Sequence, residues 1–415
     1  MEDKAGQGPS EGGDVVFLVD EAEVSPAIAL LHELKVVLDR HGYAATQVIP
    51  HEGTALDLAL DPVNVGRAAR GRSNVFQRSA APGAYRWWLA RRNPAAAALH
   101  EFFFRGTAMS ESAVGSLLPA DLVSRLVDAR ALSTQGNLLR SEVLIAPHRG
   151  SLYVSDPFRY QNDPEYCYLG RSSFTVPDFI ATRELVQPRA GTRLLDLGCG
   201  AGVGAVGCAR VAEEVVGTDI VERCLRFATV NASLNGVSNS SFFFSDVYDH
   251  VEGTFDVILS NTPCEWSWEG LEHARPYEAG GGDFGLELPG RMIAGGLERL
   301  RPGGILFAVI MAPVRERQPY APIALERICV GNPAEVVLYP LFEEYEYSKR
   351  QPYRQHRIDK MVRYLAVLQP STHFSFRFAR LDTARLLSSR ARSMPPRAAA
   401  LSNHLFNVPP TAQST

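Results

Sequence analysis

The chain of 415 residues contains almost no lysine: only Lys4, Lys35, Lys349 and Lys360 stand among its 42 lysines and arginines. With many alanines, glycines and prolines alongside, that bias reads as a GC-rich coding sequence rather than as a function of arginine. Charge excess is also missing. The 42 basic residues meet 46 acidic ones for a formal net charge of -4, which argues against a nucleic-acid binder that relies on overall electrostatics. Cys167, Cys199, Cys208, Cys224, Cys264 and Cys329 form no CxxC pair and no zinc-ligand spacing, so no metal site is expected and reduced thiols are. No apolar run is long enough to cross a bilayer. Residues 1–14 are acidic and glycine-rich, without the basic-then-apolar order of a signal peptide. A cytoplasmic protein with no membrane partner is therefore expected, and no internal repeat is found.

What is present suffices for a large core, since 46% of the residues are hydrophobic. The length predicts two domains plus tails: a disordered residue 1–13 segment, a mainly helical N-terminal domain over 14–156, a larger domain over 157–380, and an Arg-, Ser- and Pro-rich tail over 381–415. Helical spacing is found at residues 25–41, 95–104, 110–118 and 119–129. Strand-like alternation follows at 138–145 and 151–154, around the turn His148-Arg149-Gly150. Three helices and a hairpin predict a winged-helix-like unit. Its third helix carries Asp121, Arg125, Asp128 and Arg130 rather than a basic face, so a substrate or lid domain is expected, not a nucleic-acid partner. Residues 157–177 read as a linker. Its run Tyr166 to Phe174 has two readings, a cover over a ligand pocket or an ordinary packed connection.

The most informative stretch is Leu194-Leu195-Asp196-Leu197-Gly198-Cys199-Gly200-Ala201-Gly202, followed at once by a helix-compatible segment from Ala205. It reads as a buried strand, a turn too tight for side chains, and a helix N-terminus aimed at a ligand. A second apolar strand, Val215 to Thr218, closes on Asp219 at the spacing of an acid that grips ribose hydroxyls. Asp196 is placed to meet a ligand's ammonium group. Gly198, Gly200 and Gly202 admit close backbone approach, Ile220 follows the ribose acid, and Asp246 with backbone Val247 is placed to read an adenine edge. One carboxylate for a charged tail and one for a ribose suit S-adenosylmethionine better than a dinucleotide. A nicotinamide-dependent oxidoreductase would use Gly200, Gly202 and Ala205, and would leave Asp196 and Asn261 without a role. From Phe179 to about Gln369 apolar runs alternate with amphipathic helices, which predicts an α/β, Rossmann-like sheet of seven strands whose last pair is antiparallel.

The fourth of these strands ends Ser260-Asn261-Thr262-Pro263-Cys264. Together with Asp196-Leu197-Gly198-Cys199-Gly200, Leu225-Arg226-Phe227 through Asn231 to Asn235-Gly236, Phe255 to Asn261, Gly281-Gly282-Asp283-Phe284-Gly285-Leu286, and Leu300-Arg301-Pro302-Gly303-Gly304, this resembles the HemK-like branch of class I methyltransferases over roughly residues 170–312. That family is best known for methylating the amide nitrogen of a protein glutamine. Its fourth strand ends Asn-Pro-Pro-Tyr. The resemblance makes Asn261 and Pro263 the catalytic residues, with Asn261 accepting hydrogen bonds from the acceptor nitrogen and also lying beside the cofactor. Thr262 stands where the family has its first Pro, and Cys264 where it has Tyr. Glu265-Trp266-Ser267-Trp268 follows, so Trp266 or Trp268 is the candidate replacement for the lost aromatic face. Arg171 and His273 complete the candidate substrate set. A hydroxyl acceptor would need a base, for which Glu265 and His273 are placed. Cys264 is not expected to act as a nucleophile.

The resulting expectation is an S-adenosylmethionine-dependent methyltransferase, leaving S-adenosylhomocysteine as product. The altered motif points to N or O of a small-molecule or peptide-like acceptor, in specialised metabolism. The alternatives are a glutamine-amide methyltransferase of a translation factor or ribosomal protein, and a non-catalytic S-adenosylmethionine-binding scaffold.

Overall fold

The computed structural model describes residues 16–46, 87, 89–183, 186, 190–261, 263–266, 280–344 and 351–379. The N-terminal segment runs through α1 (Val24–Arg40), α2 (Pro94–Leu99), which continues as a π-turn over His100–Phe104, β1 (Met109–Ser110), α3 (Glu111–Gly115) and α4 (Ala120–Asp128). Local chemistry sets the helix starts. The Asn93 side chain accepts from Ala96 N with Pro94 in the first turn, and Ser110 accepts from Ala113 N. Two hairpins follow: β2 (Leu132–Gln135) with β3 (Leu138–Ser141), and β4 (Leu144–His148) with β5 (Ser151–Ser155).

The sequence expectation of one strand over 138–145 is corrected here: the chain breaks at Glu142 and Val143. Glu142 is buried, and Ser133, Arg159 and Tyr160 all bond its carboxylate. That polar cluster separates the hairpins, and its partners lie too far apart in sequence to be read as a signal.

Helix α5 (Thr175–Arg183) leads into the α/β unit: β6 (Arg193–Leu197), α6 (Val203–Cys208), β7 (Glu214–Asp219), α7 (Glu222–Leu234), β8 (Ser240–Phe244), β9 (Phe255–Ser260), α8 (Glu287–Arg299), β10 (Leu300–Arg315), β11 (Gln318–Pro319), α9 (Ala321–Ile328), β12 (Ala334–Glu344), α10 (Gln351–Gln355), β13 (Ile358–Pro370) and β14 (Ser375–Phe378). The sheet order is β14-β12-β13-β10-β9-β6-β7-β8, with β11 folded back on β10. β6 to β10 pair in parallel, and β13 is antiparallel to both β10 and β12. This is the expected Rossmann-like sheet with its antiparallel hairpin. Two strands were not foreseen: β11, of two residues, and β14, an edge strand whose Phe376 and Phe378 stay exposed.

Central strands are buried on both faces, as Leu194, Leu195, Ile258 and Leu306 illustrate, because helices cover both sides. One apolar core joins α1, α2, α4 and both hairpins to Phe227, Val230 and Leu234 of α7. The N-terminal segment is thus packed onto the α/β unit. No helix among the described residues is long and apolar enough to cross a membrane.

Candidate active site

Four strand ends meet at the C-terminal edge of the sheet. The register places Leu197 beside Thr218 on one side and Ser260 on the other, and Asp219 beside Phe244. The chain therefore leaves β6 as the glycine loop between Asp219 and Asn261. This is the crevice position that open parallel sheets use for ligands. Gly198, Gly200 and Gly202 all adopt positive φ (68°, 52° and 72°). Gly202 has no room for a side chain, since a Cβ there would lie 2.9 Å from Ala228 Cβ on α7. At Gly200 a Cβ would meet no clash, its nearest neighbour being the Tyr168 carbonyl oxygen in ordinary contact at 3.8 Å. The 166–174 run passes this loop with Tyr166, Cys167, Leu169 and Phe174 buried, as in a packed connection.

The two acids have different surroundings. Asp196 is buried beneath the loop, where Oδ2 accepts from Ala205 N at 2.7 Å. Gly204 is required beside it, because a Cβ would come within 2.6 Å of the carboxylate. Burial pushes the Asp196 carboxyl up to about 7 despite that bond. Asp219 sits at the mouth. Its Oδ2 accepts from Gly200 N at 2.8 Å and its Oδ1 from Val221 N at 3.0 Å, so one carboxylate ties the glycine loop to the start of α7. Burial raises its pKa, and these backbone donors oppose the rise.

Next to Asp219, Ile220 is 58% exposed and Phe244 on β8 is 42% exposed, an apolar pair at the rim. Phe244 was not singled out from sequence, since one aromatic in an edge strand carries no signal of its own. Asp246 is half-exposed, 3.7 Å from the Arg291 guanidinium, and Val247 has φ 51°. A glycine loop, a carboxylate at its mouth and adjacent exposed apolar side chains fit a nucleoside with a charged tail. Among the described residues no cluster of His, Cys, Asp or Glu could hold a metal ion.

On the other side, Asn261 and Pro263 are half-buried at the end of β9. Cys264 turns into the core and is buried. The Gly281–Leu286 stretch lies directly against this loop: Gly280 N donates to Glu265 O at 3.0 Å, and a Cβ on Gly285 would approach Cys264 O to 2.7 Å. Glu265 pairs with Arg363 at 3.2 Å, which gives this candidate base a structural partner. Trp266 packs edge-on against Phe284, Tyr353 and His356, with ring centroids 5.1, 5.3 and 5.1 Å away. Its indole is therefore part of an aromatic cluster beside the loop. Arg171 begins a short 3-10 turn, but its side chain lies outside the described residues, as do Thr262, Trp268 and His273.

Sequence reasoning missed what holds the site together. Asn231 is fully buried on α7. Its Oδ1 accepts from Val154 N at 2.7 Å, while its Nδ2 donates to Val154 O and to Ala201 O in the glycine loop, both at 2.9 Å. Asn235, one turn on, makes the same pair of bonds to Leu152, at 3.0 and 2.8 Å. The i, i+4 spacing of two asparagines was visible, but their partner strand was not.

Comparison with known proteins agrees with this architecture. Residues 180–329 match the methyltransferase small domain family model. A Methanocaldococcus jannaschii protein named for protein N5-glutamine methyltransferase activity is 36% identical over 116 residues, covering 27% of this chain and 58% of the relative. The release factor glutamine methyltransferase of Lactococcus lactis is 30% identical over 122 residues, covering 25% and 45%. Ribosomal RNA small subunit methyltransferase C of Shigella flexneri is 31% identical over 129 residues, covering 31% and 33%. The chain thus spans between a third and three fifths of the length of these relatives.

Proposed function

We propose that the protein transfers a methyl group from S-adenosylmethionine to the side-chain amide nitrogen of a glutamine in a protein, a reading supported by the match of residues 180–329 to the methyltransferase small domain model. The observation that carries this reading is the register of β6 and β9, which brings the glycine loop and Asn261 out of neighbouring strand ends. Two of the relatives above are named for glutamine methylation, and this favours a glutamine amide over a small-molecule acceptor.

In this reading the backbone of Gly198 to Gly202 receives the methionine portion of the cofactor and Asp219 the ribose hydroxyls. Ile220 and Phe244 flank the base, and Asp246 with Val247 reads its edge. Asp196 acts from beneath, by holding Ala205 and the loop in place. When bound, S-adenosylmethionine supplies a methyl group already activated by its sulfonium. The protein's task is then alignment rather than acid–base chemistry. Asn261 offers a side-chain oxygen to the acceptor NH2, and Pro263 stiffens the loop that carries it. Cys264, turned into the core, takes no part.

One observation favours a second reading, a small N- or O-acceptor. The position occupied by an aromatic in HemK-like proteins is here a buried cysteine. Incubation with tritiated-methyl S-adenosylmethionine and glutamine-bearing proteins, ribosomal RNA or small amines and alcohols separates the readings. Label recovered as N5-methylglutamine after complete enzymatic digestion, and released as methylamine on acid hydrolysis, is the expected result. Label confined to RNA or to small molecules would replace the acceptor, and cofactor binding without any transfer would leave a scaffold.

A further inference from the structure

Asp156 and Arg223 form an ion pair with both side chains fully buried. Arg223 donates from Nε to Asp156 Oδ2 at 3.0 Å and from Nη2 to Oδ1 at 2.6 Å. Arg223 Nη1 is buried with no acceptor among the described residues, so the guanidinium takes its orientation from Asp156 and from the Phe227 ring, 5.1 Å away. A buried pair of this kind is seldom worth its desolvation, and apolar residues of similar volume are often as stable or more so. Its location suggests what it contributes instead.

Three segments meet at the pair. Asp156 directly follows β5. Its Oδ2 also accepts from Cys167 N at 2.9 Å, which fixes the linker one residue before Tyr168, whose carbonyl faces Gly200. Arg223 lies in the first turn of α7, two residues after Val221, whose N–H is held by Asp219. The pair therefore joins the segment over the glycine loop to the turn carrying the proposed ribose acid. Cys167 and Cys224, both buried and both free thiols, extend the same junction.

We propose that Asp156 and Arg223 are positioning residues for the cofactor. Without touching it, they set the linker at residues 166–170 and the turn at residues 219–223 in fixed relation, so that the Asp219 carboxylate and the Gly200 backbone are held ready before binding. This rests on the S-adenosylmethionine reading. Pre-ordering lowers the cost of binding, so its loss should appear in affinity.

Calorimetry with S-adenosylhomocysteine on the full chain tests this in wild type, Asp156→Asn, Arg223→Lys and the double variant Asp156→Leu/Arg223→Met. The double variant is expected to melt within a few degrees of wild type yet bind about tenfold or more weakly. Arg223→Lys should fall between, and KM for the methyl donor should rise more than kcat falls. A double variant with wild-type affinity would overturn the proposal, because the pair would then be structural only. Asp156→Asn folded and binding normally would do the same, and if it fails to fold the double variant still decides. Wild type that binds no S-adenosylhomocysteine would overturn the cofactor reading itself, an outcome visible before any variant is made.

Discussion

The two flanks of the sheet are built on different principles. On the β10 side, α8 places Met292, Ile293 and Leu297 in one apolar core with Leu306, Ala308 and Ile310, where the Tyr248 hydroxyl bonds only the Met292 carbonyl oxygen of the helix, at 2.6 Å. On the β7 side, α7 buries Arg223, Arg226 and Asn231 as well as Phe227 and Val230. Those polar groups are met by the N-terminal segment: Arg223 by Asp156, Arg226 by Leu18 O at 3.0 Å, and Asn231 by Val154. An apolar interface is satisfied by filling volume, and several registers can do that. A buried donor or acceptor is satisfied at one place only, so the second flank specifies how the N-terminal segment seats beside the glycine loop.

Breaking the polar flank should give the largest effect. Asp156→Ala leaves Arg223 charged, buried and unpaired, and should cost about 3–5 kcal/mol in urea unfolding. The control lies on the other flank. Ile293→Ala, fully buried, should cost about 3 kcal/mol while S-adenosylhomocysteine affinity stays near wild type. If both variants lose affinity in proportion to stability, the contrast between the flanks fails.

The next effect is a pH dependence centred on the glycine loop. Burial raises the Asp196 carboxyl to about 7 in the folded protein, above its value in the unfolded chain. Between these values the folded state binds the extra proton, so this group's stabilisation is full at acid pH and is lost as pH rises through about 7. Between pH 5 and 8 wild type should lose roughly 2–3 kcal/mol relative to Asp196→Asn, whose slope should be flatter. Parallel stability curves for the two proteins would show that Asp196 does not titrate there.

Smaller effects refine the polar flank. Asn235 is only partly buried and water can replace some of its bonds, so Asn235→Ala should cost about 1–2 kcal/mol, less than Asn231→Ala under the same denaturant titration. At the bottom of the series, Arg125 and Glu33 pair on the surface between α4 and α1 at 2.6 Å. Arg125→Ala should leave the melting temperature unchanged within error, because exposed charges are already solvated. A clear loss there would mean that surface charge, too, seats the N-terminal segment.

How much of this was readable in the chain follows the same division. Strands β6, β7 and β9 form on the apolar runs at Leu194, Val215 and Phe255, because a strand covered on both faces must be an apolar run. The glycine loop, Asp219 and Asn261 came with those strands. The break at Glu142, the Asp156–Arg223 pair and the asparagine contacts were not readable. Their partners are 9, 67 and 77 residues apart for Ser133, Arg223 and Val154 respectively, and no periodicity links them. Trp266 and Glu265 were legible as residues of the right loop, but their packing on Phe284 and pairing with Arg363 depend on segments that arrive from elsewhere.

The two asparagines of α7 also bear on solubility. Leu152 and Val154 present their N–H and C=O groups on the side of β5 away from β4, and a hairpin with such an edge is a template for another strand. Asn231 and Asn235 satisfy all four groups with side-chain amides, which have the donor and acceptor of a peptide unit but cannot be extended into a further strand. The helix thus closes the sheet edge chemically, as a strand would, without creating a new edge. Any fragment that parts residues 144–155 from α7 reopens a strand edge, and its first liability is self-association rather than lost chemistry.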